Sequence, residues 1–110
     1  MNHPHPSRRS TSFGWLEVLE EIDGEPALER LHFDCNGRSH VHDRWEYVRV
    51  TSGTGVIVSG DERINVKAGD AVDIPPHTEH WMETAFELDL VLMYGPKDKQ
   101  PRLAAYRERR

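Results

Sequence analysis

The sequence predicts an all-β domain, a sandwich or barrel, and three observations carry the prediction. Short apolar runs rich in β-branched residues alternate with turn signals from Trp15 to Pro96. The last run, FELDLVLMY, has a clean period of two, which places Phe86, Leu88, Leu90, Leu92 and Tyr94 on one face. No convincing internal helical pattern interrupts the series.

Taken in order, the elements are punctuated by their turns. WLEVL precedes DGEP, and ALERLHF precedes DCNGRS. VIV, RINV and AVDI follow, each closed by a turn: SGDE, KAGD and PPHTE. FELDLVLMY ends at Gly95-Pro96, where proline removes a ladder donor. Residues 1–12 are polar and proline-rich and are expected to form a flexible N-terminal arm. The barrel domain is expected over residues 13–96, and residues 97–110 form a basic tail whose PRLAAYRERR is a short helix or a frayed end.

Length and composition bound the function. At 110 residues and 36% apolar content, one core is all the chain can build. No apolar stretch is long enough to span a membrane, and the first residues lack the apolar segment of a signal peptide, so a cytoplasmic protein is expected. The single cysteine, Cys35, excludes an intrachain disulfide framework and reads as a small, semi-buried residue or a thiol near the site. The formal net charge is −5, and because residues 1–9 and 97–110 carry +2 and +4, residues 10–96 carry −11. An acidic body with short basic ends lacks the clustered basic face that nucleic-acid binding requires.

The stretch HVHDRWE carries the chemistry. In an extended chain His40, His42, Glu46, Val48 and Val50 share one face, and a loop between them would bring the imidazoles and the carboxylate closer still. A second stretch, GDAVDIPPHTEH, supplies a turn glycine, a strand, a proline-built turn and His80 at the start of another strand.

Together the two stretches resemble the cupin superfamily, whose first motif runs G-x5-H-x-H-x3,4-E-x6-G and whose second runs G-x5-P-x-G-x2-H-x3-N. His40, His42, Glu46 and Gly53 match the first; Gly69, Pro75 and His80 match the second. The resemblance covers about a third of the chain and implies a cupin jelly-roll β-barrel of the small single-domain type. Departures fall at Asp34, His77 and Thr84, where the family has glycine, glycine and asparagine. None is a ligand position.

The resemblance implies that His40, His42, Glu46 and His80 bind one divalent transition metal, iron, nickel, manganese, copper or zinc. Three imidazoles and a carboxylate suit all five ions. It further implies a metal-dependent enzyme on a small oxygenated organic molecule, with dioxygenase-type chemistry as the first expectation. A Lewis-acid isomerase or lyase acting on a sugar, uronate or small organic acid is the alternative, and a non-catalytic metal- or ligand-binding module is the third. No catalytic residue is assigned by the motifs, and Glu46 and His77 are the candidates. His77 is otherwise a turn residue, because histidine tolerates positive φ better than most residues.

Other residues receive plainer expectations. His32 is a solvated or core histidine, and His3 and His5 lie in the arm. Trp45, Tyr47 and Trp81 are packing residues, one of which could wall the pocket. Arg44 and Arg49 are surface charges unless one points inward as an anion clamp. A homodimer is expected, built from N-terminal strand residues such as Trp15, Leu16 and Val18, because a barrel of this size has exposed edges.

Overall fold

The computed structural model describes residues 8–97, and among these the chain forms eight β-strands and no helix. They are β1 (Arg8–Ser10), β2 (Gly14–Ile22), β3 (Glu25–Phe33), β4 (Arg44–Ser59), β5 (Glu62–Lys67), β6 (Ala71–Ile74), β7 (His80–Glu83) and β8 (Leu88–Lys97). All pairings are antiparallel, in the order β1-β2-β3-β8-β4-β5, with β6 and β7 also on β4. The fold is an all-β jelly-roll barrel.

Strand β4 makes the barrel by belonging to two sheets. Its first part, through Gly53, pairs with β8 and β6, and Thr54–Ser59 pairs with β5 and β7. The change of sheet follows a register shift between Val50 and Ser52, the kind of irregularity that bends a strand. Gly53 sits at the corner with φ +81°, and a Cβ there would lie 2.1 Å from the Glu87 carbonyl oxygen. The motif glycine is therefore required by both backbone conformation and space.

Alternation decides what faces the interior. On β3, Ala27, Glu29, Leu31 and Phe33 are buried while the residues between them are not. On β4, Glu46, Val48 and Val50 point inward, as their shared parity predicts. Ile57, Ile74, Leu88 and Leu90 have no exposed surface, and each such burial stabilises the fold by about 1.5–3 kcal/mol.

Several expectations need revision. The strands begin inside the expected arm, since Arg8, Arg9 and Ser10 pair with Glu17, Leu16 and Trp15. Phe86 is 79% exposed, because β8 starts only at Leu88 and the alternating face of FELDLVLMY begins with the strand. Cys35 is exposed rather than semi-buried, its sulfur 3.5 Å from the Ser12 carbonyl oxygen. Leu16 is buried and Val18 packs against the core, so of the three residues expected at a dimer interface Trp15 alone lies outside that core cluster. The expected C-terminal helix or frayed tail, like His3 and His5, falls outside the described residues.

Candidate metal centre

Three local devices bring the four motif residues together. Glu46 is held by the β4 ladder, opposite Ile74 on one side and Tyr94 on the other. His40 lies before β4 and forms an isolated bridge to His80, with reciprocal backbone hydrogen bonds of 3.1 and 3.0 Å. Residues 41–43 form a short loop before β4 begins at Arg44, so the shared parity of the two histidines is not what unites them. The third device is the turn at Pro75–Thr78. His77 has φ +58°, the left-handed conformation expected where the family has glycine, and its backbone N–H donates to the His42 carbonyl at 2.7 Å. The turn thus ties the His42 loop to the strand bearing His80.

The ligand atoms of His40, His42, Glu46 and His80 all lie within 4.8 Å of one another. Glu46 Oε2 is 2.9 Å from His42 Nε2 and 3.0 Å from His80 Nε2. His40 Nδ1 donates to the Arg38 carbonyl at 2.9 Å and His80 Nδ1 to the Thr78 carbonyl at 2.8 Å. Those bonds fix the tautomer and turn each Nε2 lone pair toward the cluster, the arrangement that orients metal-ligating histidines.

Charge and burial differ among the four residues, with His40 exposed and Glu46 and His80 buried. Glu46 and His80 are each 1% exposed. Burial alone would raise the Glu46 pKa, but contacts with His42 and His80 hold it down at about 2. Burial would lower the His80 pKa, and the Glu46 carboxylate and Thr78 carbonyl outweigh it and raise it. His40 goes the other way, because burial outweighs the Arg38 carbonyl and favours its neutral form. Despite the short contacts, Glu46 Oε2 and His80 Nε2 are buried without hydrogen-bond geometry to any partner. Buried polar atoms normally find partners. Two orphaned donor atoms among three imidazoles and a carboxylate fit a divalent first-row metal ion.

The cluster forms part of the wall of a cavity of about 300 Å³. Phe13, Leu16, Leu31, Phe33, Met82 and Leu92 supply its apolar surface. His40, His42 and Glu46 line it, and so do Arg9, Arg38, Glu29 and Tyr94. Glu29 is 5% exposed and accepts a hydrogen bond from the Tyr94 hydroxyl at 3.1 Å. Burial is the main influence on Glu29 and raises its pKa, against the opposing Tyr94 bond.

The remaining candidates lie elsewhere. His77 does not line the cavity. Trp45 stacks on Tyr47 at 6.1 Å, and Trp81 donates to Glu83 at 2.9 Å; none of the three walls the cavity. Arg44 lies over the Tyr94 ring at 4.8 Å and contacts Glu25, and Arg49 is exposed, so neither reaches into the cavity. His32 is half-buried, stacked on Trp15 and 2.7 Å from Asp89. The sequence reading missed Arg9, Arg38, Glu29 and Tyr94 as cavity residues. A signal existed for Glu29: it is the charged residue at an inward position of the alternating run ALERLHF.

Comparison with known proteins agrees with this geometry. A cupin-2 domain protein from Rhodospirillum rubrum is 21% identical, with 98% of this chain and 78% of that one aligned and a TM-score of 0.67. An RmlC-like cupin from Shewanella frigidimarina is 20% identical over 78% of each chain, with a TM-score of 0.65. The polyketide cyclase RemF from Streptomyces resistomycificus is 19% identical over 82% of this chain and 68% of its own, with a TM-score of 0.64. At these identities the likeness shows the fold. No curated protein matches the chain. The Cupin domain family matches residues 29–94, more than half of the sequence and the span that contains all four clustered residues, and the chain therefore belongs to the cupin family.

Proposed function

We propose that this cupin is a metal-dependent enzyme acting on a small, largely apolar organic molecule with an oxygen function. The observation that carries the proposal is the convergence of His40, His42, Glu46 and His80, the first three of which line a cavity whose surface is mostly apolar. When bound there, a divalent ion supplies Lewis acidity toward a substrate oxygen and, if redox-active, a site for oxygen chemistry. The chain's own residues do the rest. His40 and His80, anchored at Nδ1 by backbone carbonyls, hold fixed ligand directions, and the apolar wall excludes water from the reacting group.

Two chemistries compete within this reading. The three-histidine, one-glutamate set supports the dioxygenase-type reaction expected from the sequence. The Glu29–Tyr94 pair supports proton transfer instead, because a buried ionisable group in the same cavity has no obvious task in oxygen binding. On that ground we place Lewis-acid isomerase, lyase or cyclase chemistry first. A structural neighbour named as a polyketide cyclase is in keeping with this order. Metal analysis of the purified protein followed by a substrate screen with and without oxygen tests the proposal. Turnover that is equal in both conditions supports proton-transfer chemistry, turnover lost without oxygen supports the dioxygenase reading, and stoichiometric metal without turnover identifies a binding module.

A further inference from the structure

Glu29 is a cavity carboxylate that the four-residue cluster does not use. It occupies an inward position of β3 between Ala27 and Leu31, where its parity calls for an apolar side chain. One hydrogen bond, from Tyr94, is all the hydrogen bonding its carboxyl has among the described residues. Burying a carboxyl with one hydrogen bond and the nearby Arg9 charge as its compensation costs folding free energy that a leucine at the same place would not. Such a cost is characteristic of residues kept for chemistry.

Its position relative to the cluster is set by the sheet. Strands β3, β8 and β4 are neighbours; Glu29 is opposite Leu92, and Tyr94, two residues further on, is opposite Glu46. The two carboxylates therefore belong to strands two spacings apart, roughly 10 Å backbone to backbone, with Tyr94 between. The Tyr94 ring also meets the His42 ring edge-on at 5.8 Å. A molecule held with an oxygen at the cluster would lie in the cavity that Glu29 also lines.

We propose that Glu29 is the proton-transfer residue of this cavity, taking a proton from the carbon beside the carbonyl of a small, mostly apolar, enolisable carbonyl compound. The inference rests on the metal-dependent reading above. In the step, the C–H bond breaks and its electron pair forms the carbon–carbon double bond. The carbonyl π pair moves onto oxygen, whose charge a divalent ion held by His40, His42, Glu46 and His80 would stabilise, and the proton goes to Glu29 Oε2. No oxidant or reductant is consumed, and return of the proton to the same or a neighbouring carbon completes an exchange or an isomerisation. Tyr94 is a positioning residue: by donating to Glu29 Oε1, it leaves the other oxygen to face the substrate. Burial, which favours the protonated carboxyl, makes Glu29 a stronger base once ionised than an exposed glutamate would be.

The test is deuterium exchange in D2O, followed by proton NMR, on 2-oxobutyrate, phenylpyruvate and cyclohexane-1,2-dione with metal-loaded protein. The wild type is expected to accelerate exchange of at least one of them above the free metal ion. Glu29→Gln should keep the wild-type metal content and melting temperature and bind the same compound within about twofold by calorimetry. Its exchange should be slower by about 100-fold or more, the usual contribution of a positioned general base. Tyr94→Phe should lower the rate at saturation about tenfold and leave the half-saturating concentration nearly unchanged, a split that mere loosening of the cavity would not give. Exchange at the wild-type rate in metal-replete Glu29→Gln overturns the proposal, and so does failure of the wild type to exchange any of the three. Failure of the metal reading is separate, because it appears as unchanged metal content in His42→Ala.

Discussion

Glu17 and Glu46 are both buried glutamates on strands of the same barrel, one 0% and the other 1% exposed, and they are satisfied in opposite ways. Glu17, on β2, has the Arg30 guanidinium at 3.1 Å and that of Arg8 at 3.5 Å. Both arginines lie over the Trp15 ring, at 3.9 Å for Arg8 and 5.4 Å for Arg30. Permanent cations neutralise this carboxylate. Glu46 faces three imidazoles, and two of them, His40 and His80, have their outer nitrogens committed to backbone carbonyls. Its partners are titratable ring nitrogens that converge with it on a common point, an arrangement that fits a bound cation. Burial alone does not identify a functional carboxylate; the kind of partner does.

The largest effect that separates the two should come from removing a ligand. His42→Ala should bring metal content to background, beyond the roughly 10–100-fold loss seen when mere outer-shell partners of a ligand are removed. Glu17→Gln should leave the metal untouched and destabilise the fold by about 1–2 kcal/mol in urea unfolding, because Arg8 and Arg30 lose their anionic partner but stay half-exposed to water. If Glu17→Gln also released the metal, the contrast between the two sites would fail.

Acid should act on the metal centre through its imidazoles. Coordination requires them neutral, so metal content, measured by elemental analysis after dialysis, should fall as the pH is lowered into the acid range. In the metal-free protein the sign for Glu46 is also fixed. Its folded pKa of about 2 lies below the ordinary 4.5, so the stability it contributes is present above that ordinary value and is lost as pH falls toward the folded one. Replacing Glu46 by Gln should flatten that part of a stability-against-pH curve.

The smallest effect should come from His77. It sits at φ +58° outside the cavity wall and acts through its backbone N–H. His77→Gly keeps that donor and relaxes the backbone, so stability should change by less than ~1 kcal/mol with metal content intact. A much larger loss of turnover in this variant would give the imidazole itself a role.

The His40, His42, Glu46 and His80 cluster was legible in the sequence through its motif spacing, although the extended parity that grouped the two histidines does not hold in the fold. Glu46, Val48 and Val50 keep their parity on β4, and the positive φ at His77 follows from the turn it occupies. The loop at 41–43 was not readable in detail, since the bridge between His40 and His80 is a pairing of residues 40 apart in sequence. Phe86 matched the alternating pattern, but periodicity does not mark where a ladder begins, and β8 starts two residues later. Cys35 was assigned by the habits of its residue type, whereas the turn after β3 places it at the surface. Tyr94 was placed on the right face, and its pairing with Glu29 depends on β3 lying beside β8, which local sequence does not encode. The same non-local neighbourhood concealed Arg9, brought to the cavity by a strand in what read as an arm.

The central claim is that His40, His42, Glu46 and His80 together hold one divalent ion against the cavity. An anomalous difference map from crystals grown with cobalt(II) or zinc tests it most directly. The account predicts one strong peak per chain, about 2.0–2.2 Å from His40 Nε2, His42 Nε2, His80 Nε2 and a Glu46 carboxylate oxygen. A map with no peak among these residues, or with its strongest peak elsewhere on the chain, would contradict it.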